Sequence, residues 1–269
     1  MLRKRWPLLL FMAVFIGMIA LSAWKLIDTG HAYRKGKDTY ANITQAAVIR
    51  EKGAVPAEQV ELMPTLDEEK MELNALAEQK IEVDFSVLRA INNDAQGWLL
   101  SADGAINYPV VQGTDNEYYL HHLMDGTEND SGSLFMDFRN TAEMTDRNTF
   151  IYGHNMRNGS MFGQLEEMDA AELELFTPTG RYLLRGFAGY VTPGNSDIYQ
   201  ISYADDEEFA QYLERIQLMS EFDAGVEVTA QDRIVTLSTC AYDYDDARYV
   251  LHCKIEKLEV GGETDEEKS

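Results

Sequence analysis

The chain has 269 residues, enough for one domain of ordinary size plus extensions. Hydrophobic residues make up 45% of it, which excludes a disordered chain. With 46 acidic and 23 basic residues the formal charge is -23, which excludes a nucleic-acid binder, because phosphate contacts need clustered Lys and Arg.

In chain order, Arg3, Lys4 and Arg5 precede an uncharged apolar run from Pro7 to Trp24. Such a run approaches the length of about 20 residues that crosses a bilayer as a helix. The basic flank is expected to keep residues 1–6 in the cytoplasm, with residues 7–24 as a transmembrane anchor and the remainder outside. A cleaved signal peptide, cut near Ala20-Leu21-Ser22, is the alternative; the length of the run favours a retained anchor. Residues 25–84 are polar and rich in Ala and Glu, and are expected as a spacer with a helical segment. Leu66 to Gln79 has helical character, with acids in its first turn. Phe85, Leu88 and Ile91 stand at helical spacing and open the main domain, expected over 85–260.

Short strands with turn signals follow: Gly97 to Leu100, Ile106 to Val111, Ser133 to Asp137, Thr149 to Tyr152, Tyr182 to Gly186, Arg233 to Thr239 and Arg248 to Val260. Glu117 to Leu123, containing His121 and His122, is expected as an amphipathic helix. One helix interrupts the late strands: Asp205 to Met219 puts Phe209, Tyr212, Leu213, Ile216 and Met219 on one face. Many short strands with few helices make the chain mostly β and predict a closed or nearly closed β-barrel. Residues 261–269 are expected as a disordered acidic tail.

Three places could carry chemistry. Thr236-Leu237-Ser238-Thr239-Cys240 ends a β-branched strand in a cysteine, held rigidly yet reachable. Tyr152-Gly153-His154-Asn155 puts an imidazole just past a strand, where Asn155 or the backbone could orient it. Arg248 opens the next strand, and a permanent guanidinium can stabilise an oxyanion. Each has a bland counterpart: a core cysteine, an exposed histidine, an ordinary ion pair with Asp243, Asp245 or Asp246. Along the last strand Tyr249, Leu251, Cys253 and Ile255 share one face, and Arg248, Val250 and His252 the other. Cys253 is thus expected in the core, although a Cys240–Cys253 bridge stays open. The Tyr242 to Asp246 loop lacks the spacing and glycine of an EF-hand calcium loop.

Taken together these pieces resemble the sortases, class B above all, from about Phe85 to Glu259. The resemblance rests on GWL at 97–99, YPVVQG at 108–113, GSLFMDFRN at 132–140, YGHNM at 152–156, SMFGQL at 160–165 and TLSTC at 236–240, followed by Arg248. It implies an eight-stranded barrel with N-terminal helices and a helix inserted between late strands. It implies His154, Cys240 and Arg248 as catalytic residues, with Ser238, Asn155 and Thr239 as candidate substrate contacts. It also implies cleavage of a C-terminal sorting motif of the NPxT(N/G) type in a secreted protein, through a thioacyl-enzyme resolved by the amine of a peptidoglycan precursor. Neither a cofactor nor a metal is called for. Pilin polymerisation through a lysine amine, hydrolysis of the thioester, and a non-catalytic surface binding module remain as alternatives.

Overall fold

The apolar run folds as the start of a single long helix, α1, Trp6–Ala47. Among the described residues it is the one helix long and apolar enough to cross a bilayer. The computed structural model describes residues 6–50, 81–168 and 172–258. The helix expected over 66–79, the basic residues before position 6 and the tail 261–269 lie outside them.

Residues 25–47, within the stretch expected as a spacer with a helical segment, continue α1 without a break. Gly36, Tyr40, Ile43 and Ala47 recur at helical spacing and are buried, forming a stripe that packs on the domain. Three hydrogen bonds tie this stripe down. The Tyr40 hydroxyl donates to the Gly132 carbonyl at 2.7 Å, Asn129 Nδ2 donates to the Ala32 carbonyl at 2.9 Å, and the Tyr40 hydroxyl lies 3.0 Å from Ser133 Oγ. Beyond α1 the backbone extends into β1, Val48–Arg50, which pairs antiparallel with β2, Ile81–Val83. Asp84 then caps α2, Phe85–Ile91, its carboxylate accepting the Ser86 and Val87 amides.

Eight strands close into a barrel: β3, Ala95–Ser101; β4, Asn107–Val111; β5, Leu134–Met136; β6, Asn148–Tyr152; β7, Glu172–Thr177; β8, Gly180–Pro193; β9, Ile234–Cys240; and β10, Ala247–Lys257. Around the barrel the order is β10-β8-β7-β3-β4-β5-β6-β9. The β4–β5 and β6–β9 pairs are parallel and the others antiparallel. Closure leaves the barrel itself without an open edge. Val235, Leu237, Tyr249, Leu251 and Cys253 join the central core with Trp98, Leu99 and Leu175, as the alternation of β9 and β10 requires.

The opposite face of the same strands is buried as well. Helix α3, Asp206–Met219, lies over it, with Phe209, Tyr212, Leu213 and Ile216 forming a second core with Phe187, Tyr190, Ile234 and Val250. Its start is secured by Asp205, whose carboxylate accepts the Glu208 amide at 2.9 Å. His252 is sealed beneath it, between the Thr236 hydroxyl at 2.8 Å and the Tyr190 hydroxyl at 3.1 Å. The helix expected over Glu117 to Leu123 is only the 3-10 turn Tyr118–Leu120. His122 there stacks on Tyr118, with ring centroids 4.0 Å apart, and Nδ1 lies 2.8 Å from the Tyr118 carbonyl. That local bond closes a tight turn in place of a longer helix.

Candidate active site

The site is built where β6 and β9 end side by side. These strands run parallel with Tyr152 opposite Ser238, so the residues after Tyr152 emerge beside Thr239 and Cys240. Three hydrogen bonds lock the ends together. The Gly153 amide donates to the Ser238 carbonyl at 3.2 Å, the Thr239 hydroxyl to the Gly153 carbonyl at 2.7 Å, and Asn155 Nδ2 to the Cys240 carbonyl at 2.8 Å. Gly153 avoids crowding here, because a Cβ would press on Leu134 Cδ2 and stand 2.8 Å from Phe162 Cδ2.

On the other side of β9, Cys240 stands directly opposite Arg248 of β10. Directly opposed residues of an antiparallel pair have Cα atoms about 5 Å apart with side chains on the same face. Cys240 shares its face with Ser238, outside the barrel, and is half-buried; Cys253 lies inside and is fully buried. Both cysteines are free thiols, so no bridge joins them.

His154, Cys240 and Arg248 line one groove of about 520 Å³, with Ser238 and Thr239 in the same lining. His154 Nε2 is 2.7 Å from the Leu120 carbonyl. A carbonyl can only accept, so Nε2 carries a hydrogen and Nδ1 is the nitrogen left for other work. The backbone, not Asn155, therefore holds the imidazole. Arg248 forms an ion pair with Asp246 at 2.8 Å, and Nη1 donates to the Ala247 carbonyl at 3.0 Å. Asp246 adopts a left-handed φ of 63° to turn the chain into β10, and the Gly194 amide donates to its carbonyl at 2.8 Å. Ser238 Oγ lies 3.0 Å from the Tyr199 hydroxyl, while the Thr239 hydroxyl is taken by Gly153. Asn155 braces Cys240 from outside the groove lining.

Residue-by-residue reading missed the walls. Asn116, Leu120, Phe135, Arg139 and Tyr152 line the groove, as do Gly194 to Ser196 and Tyr199. Burial pushes the Tyr199 phenol up, against a lowering bond from Ser238, so it stays neutral at physiological pH. Behind Arg139, Asp137 is fully buried. Burial favours its neutral form, but hydrogen bonds from Arg139, Tyr152 and Asn116 outweigh this and hold its pKa below the usual carboxylate range.

A closed barrel of eight strands, with a cysteine facing an arginine across a strand pair and a histidine in the same groove, has clear relatives. Residues 102–256 match the sortase domain family. Sortase B of Listeria monocytogenes is 32% identical over 90% of this chain and 94% of its own length. Sortase B of Staphylococcus aureus is 33% identical over 67% of this chain and 78% of its own. Among solved structures, Bacillus anthracis sortase B gives a TM-score of 0.68 at 31% identity, covering 84% of this chain and 98% of that one. The S. aureus sortase B–substrate complex gives 0.62 at 33% identity, covering 65% and 85%. The chain belongs to the sortase family, within class B. It is a cysteine transpeptidase.

Proposed function

We propose that this enzyme cleaves an NPxT(N/G)-like motif near the C-terminus of secreted proteins, after its Thr, and transfers the protein to an amine of a cell-wall precursor. Cys240 is the nucleophile, His154 the proton carrier and Arg248 the oxyanion partner. The observation that carries the reading is that these three side chains, from the ends of three different strands, line one groove with Arg248 in register with Cys240.

The Cys240 thiolate adds to the Thr carbonyl carbon, and the negative charge moves to the carbonyl oxygen. The Arg248 guanidinium, aimed by Asp246, stabilises that charge. As the carbon–nitrogen bond breaks, imidazolium His154 gives its Nδ1 proton to the departing amine, while Nε2–H keeps its bond to the Leu120 carbonyl. A thioester remains. An incoming amine then attacks it, His154 Nδ1 takes the surplus proton, and the thiolate leaves. Two acyl transfers to and from sulfur replace one difficult amide exchange. Ser238 and Thr239 shape the peptide's seat, and Asn155 fixes the Cys240 carbonyl.

The apolar start of α1 serves as the anchor, with the basic N-terminus in the cytoplasm and the barrel outside the cell. The test feeds the full chain, in detergent, a peptide carrying the motif and a small amine. The amide of peptide and amine is expected from the wild type, with none from Cys240→Ala. Free acid alone at high amine concentration would replace transpeptidation by hydrolysis, and unchanged turnover in Cys240→Ala would end the mechanism.

A further inference from the structure

The chain carries a charge of -23, yet among the described residues its groove is lined by Arg139, Arg248 and His154 and by no Asp or Glu. Arg248 and His154 have roles in the proposed chemistry; Arg139 has none. Its guanidinium is gripped from below by Asp137. Nε donates to Oδ1 at 2.9 Å, Nη2 to Oδ2 at 2.7 Å, and its own amide to Oδ1 at 2.9 Å. The same carboxylate accepts the Tyr152 hydroxyl at 2.8 Å and Asn116 Nδ2 at 3.0 Å, both groove residues. One buried anion thus holds three groove side chains in place. The carboxylate has no exposed side-chain surface, whereas the Arg139 side chain is 46% exposed. The pair is therefore a dipole with its positive end toward the groove. Of the five N–H donors of a guanidinium, the fork uses two and leaves Nη1 free of the carboxylate.

Register places this group along the groove. The Asp137 amide bonds to the Phe150 carbonyl, and Arg139 folds back beside Tyr152, so it lies level with β6 residues two to four places before His154. That is about 7–13 Å of strand, or two to four residues of an extended peptide.

We propose that Arg139 is a specificity-determining residue, reading the substrate two to four residues from the scissile bond and favouring a carboxylate or carboxamide over an ammonium there. The proposal rests on the sortase reading above and adds a chemical preference to it.

The test is a set of motif peptides in which each position two to four residues from the cut, on either side, is set in turn to Glu, Gln or Lys. Acyl-enzyme formation is measured as kcat and KM for the wild type, Arg139→Lys and Arg139→Gln. At one position the wild type is expected to favour Glu over Lys by about five- to tenfold, chiefly in KM, as for a partly exposed charge pair. Arg139→Lys keeps most of that ratio and Arg139→Gln brings it to about one. The inference falls if the wild type shows no charge preference at any position, or if Arg139→Gln weakens every peptide equally. If the wild type also fails on the parent peptide, the sortase mechanism itself has failed, which the parent control separates from loss of preference alone.

Discussion

Cys240 and Cys253 are one side chain in two settings. Cys253 faces the barrel interior, where burial pushes its thiol far above the normal range and leaves it inert. Cys240 stands at a strand end in an open groove, directly opposite Arg248. The oxyanion role proposed for Arg248 needs its guanidinium held in place, and Asp246 pairs with it. Because Asp246 sits at positive φ, Asn is the substitution that spares the backbone, being tolerated there almost as well as Gly. Asp246→Asn should lower kcat/KM by up to about fivefold, the scale of one exposed ion pair, with the melting temperature little changed. Acyl-enzyme kinetics check this. No loss would show that the pair does not aim the guanidinium, and a loss of several hundredfold would give Asp246 a chemical role.

The turn after β6 is the element on which the groove depends. Gly153→Ala would push a methyl group into Leu134 and Phe162 and displace His154, the next residue. Overpacking of this kind costs roughly 1–3 kcal/mol, and kcat should fall with it. A thermal midpoint and kcat equal to wild type would mean that those side chains yield freely. The strands carrying the site were legible, because β6, β9 and β10 alternate or run apolar and end at small or charged residues. Their neighbours were not. No strand was expected over β7, where Glu172 and Glu174 interrupt the apolar residues, yet Glu174 is buried against Arg181 at 2.5 Å. Glycines at 186 and 189 hid most of β8, where Gly189 has no room for a Cβ beside the Tyr249 hydroxyl. Cys240, His154 and Arg248 could be picked out by residue type and strand position. Tyr199 and Arg139 could not, because their place in the groove comes from long-range packing that no local pattern encodes.

At the scale of the whole molecule, the second core under α3 makes stability depend on pH. Burial lowers His252 from 6.5 to about 3, so it folds neutral. Between those values the unfolded chain takes up a proton that the folded one refuses. The resulting stability is complete above pH 6.5 and is lost as pH falls toward 3, by an amount on the order of several kcal/mol. Urea midpoints should therefore drop more steeply from pH 6.5 to 4 in the wild type than in His252→Gln. Parallel curves would remove His252 from the account. The unbroken run of α1 has a different consequence. At 1.5 Å per residue it is a rod of about 60 Å, one end apolar and the other bolted to the barrel through Ala32 and Tyr40. If the apolar end lies in a bilayer as proposed, a shaft with no joint sets the height of the groove above the surface while leaving the barrel to turn about the membrane normal, so partners would be met at one distance from the surface and from any side.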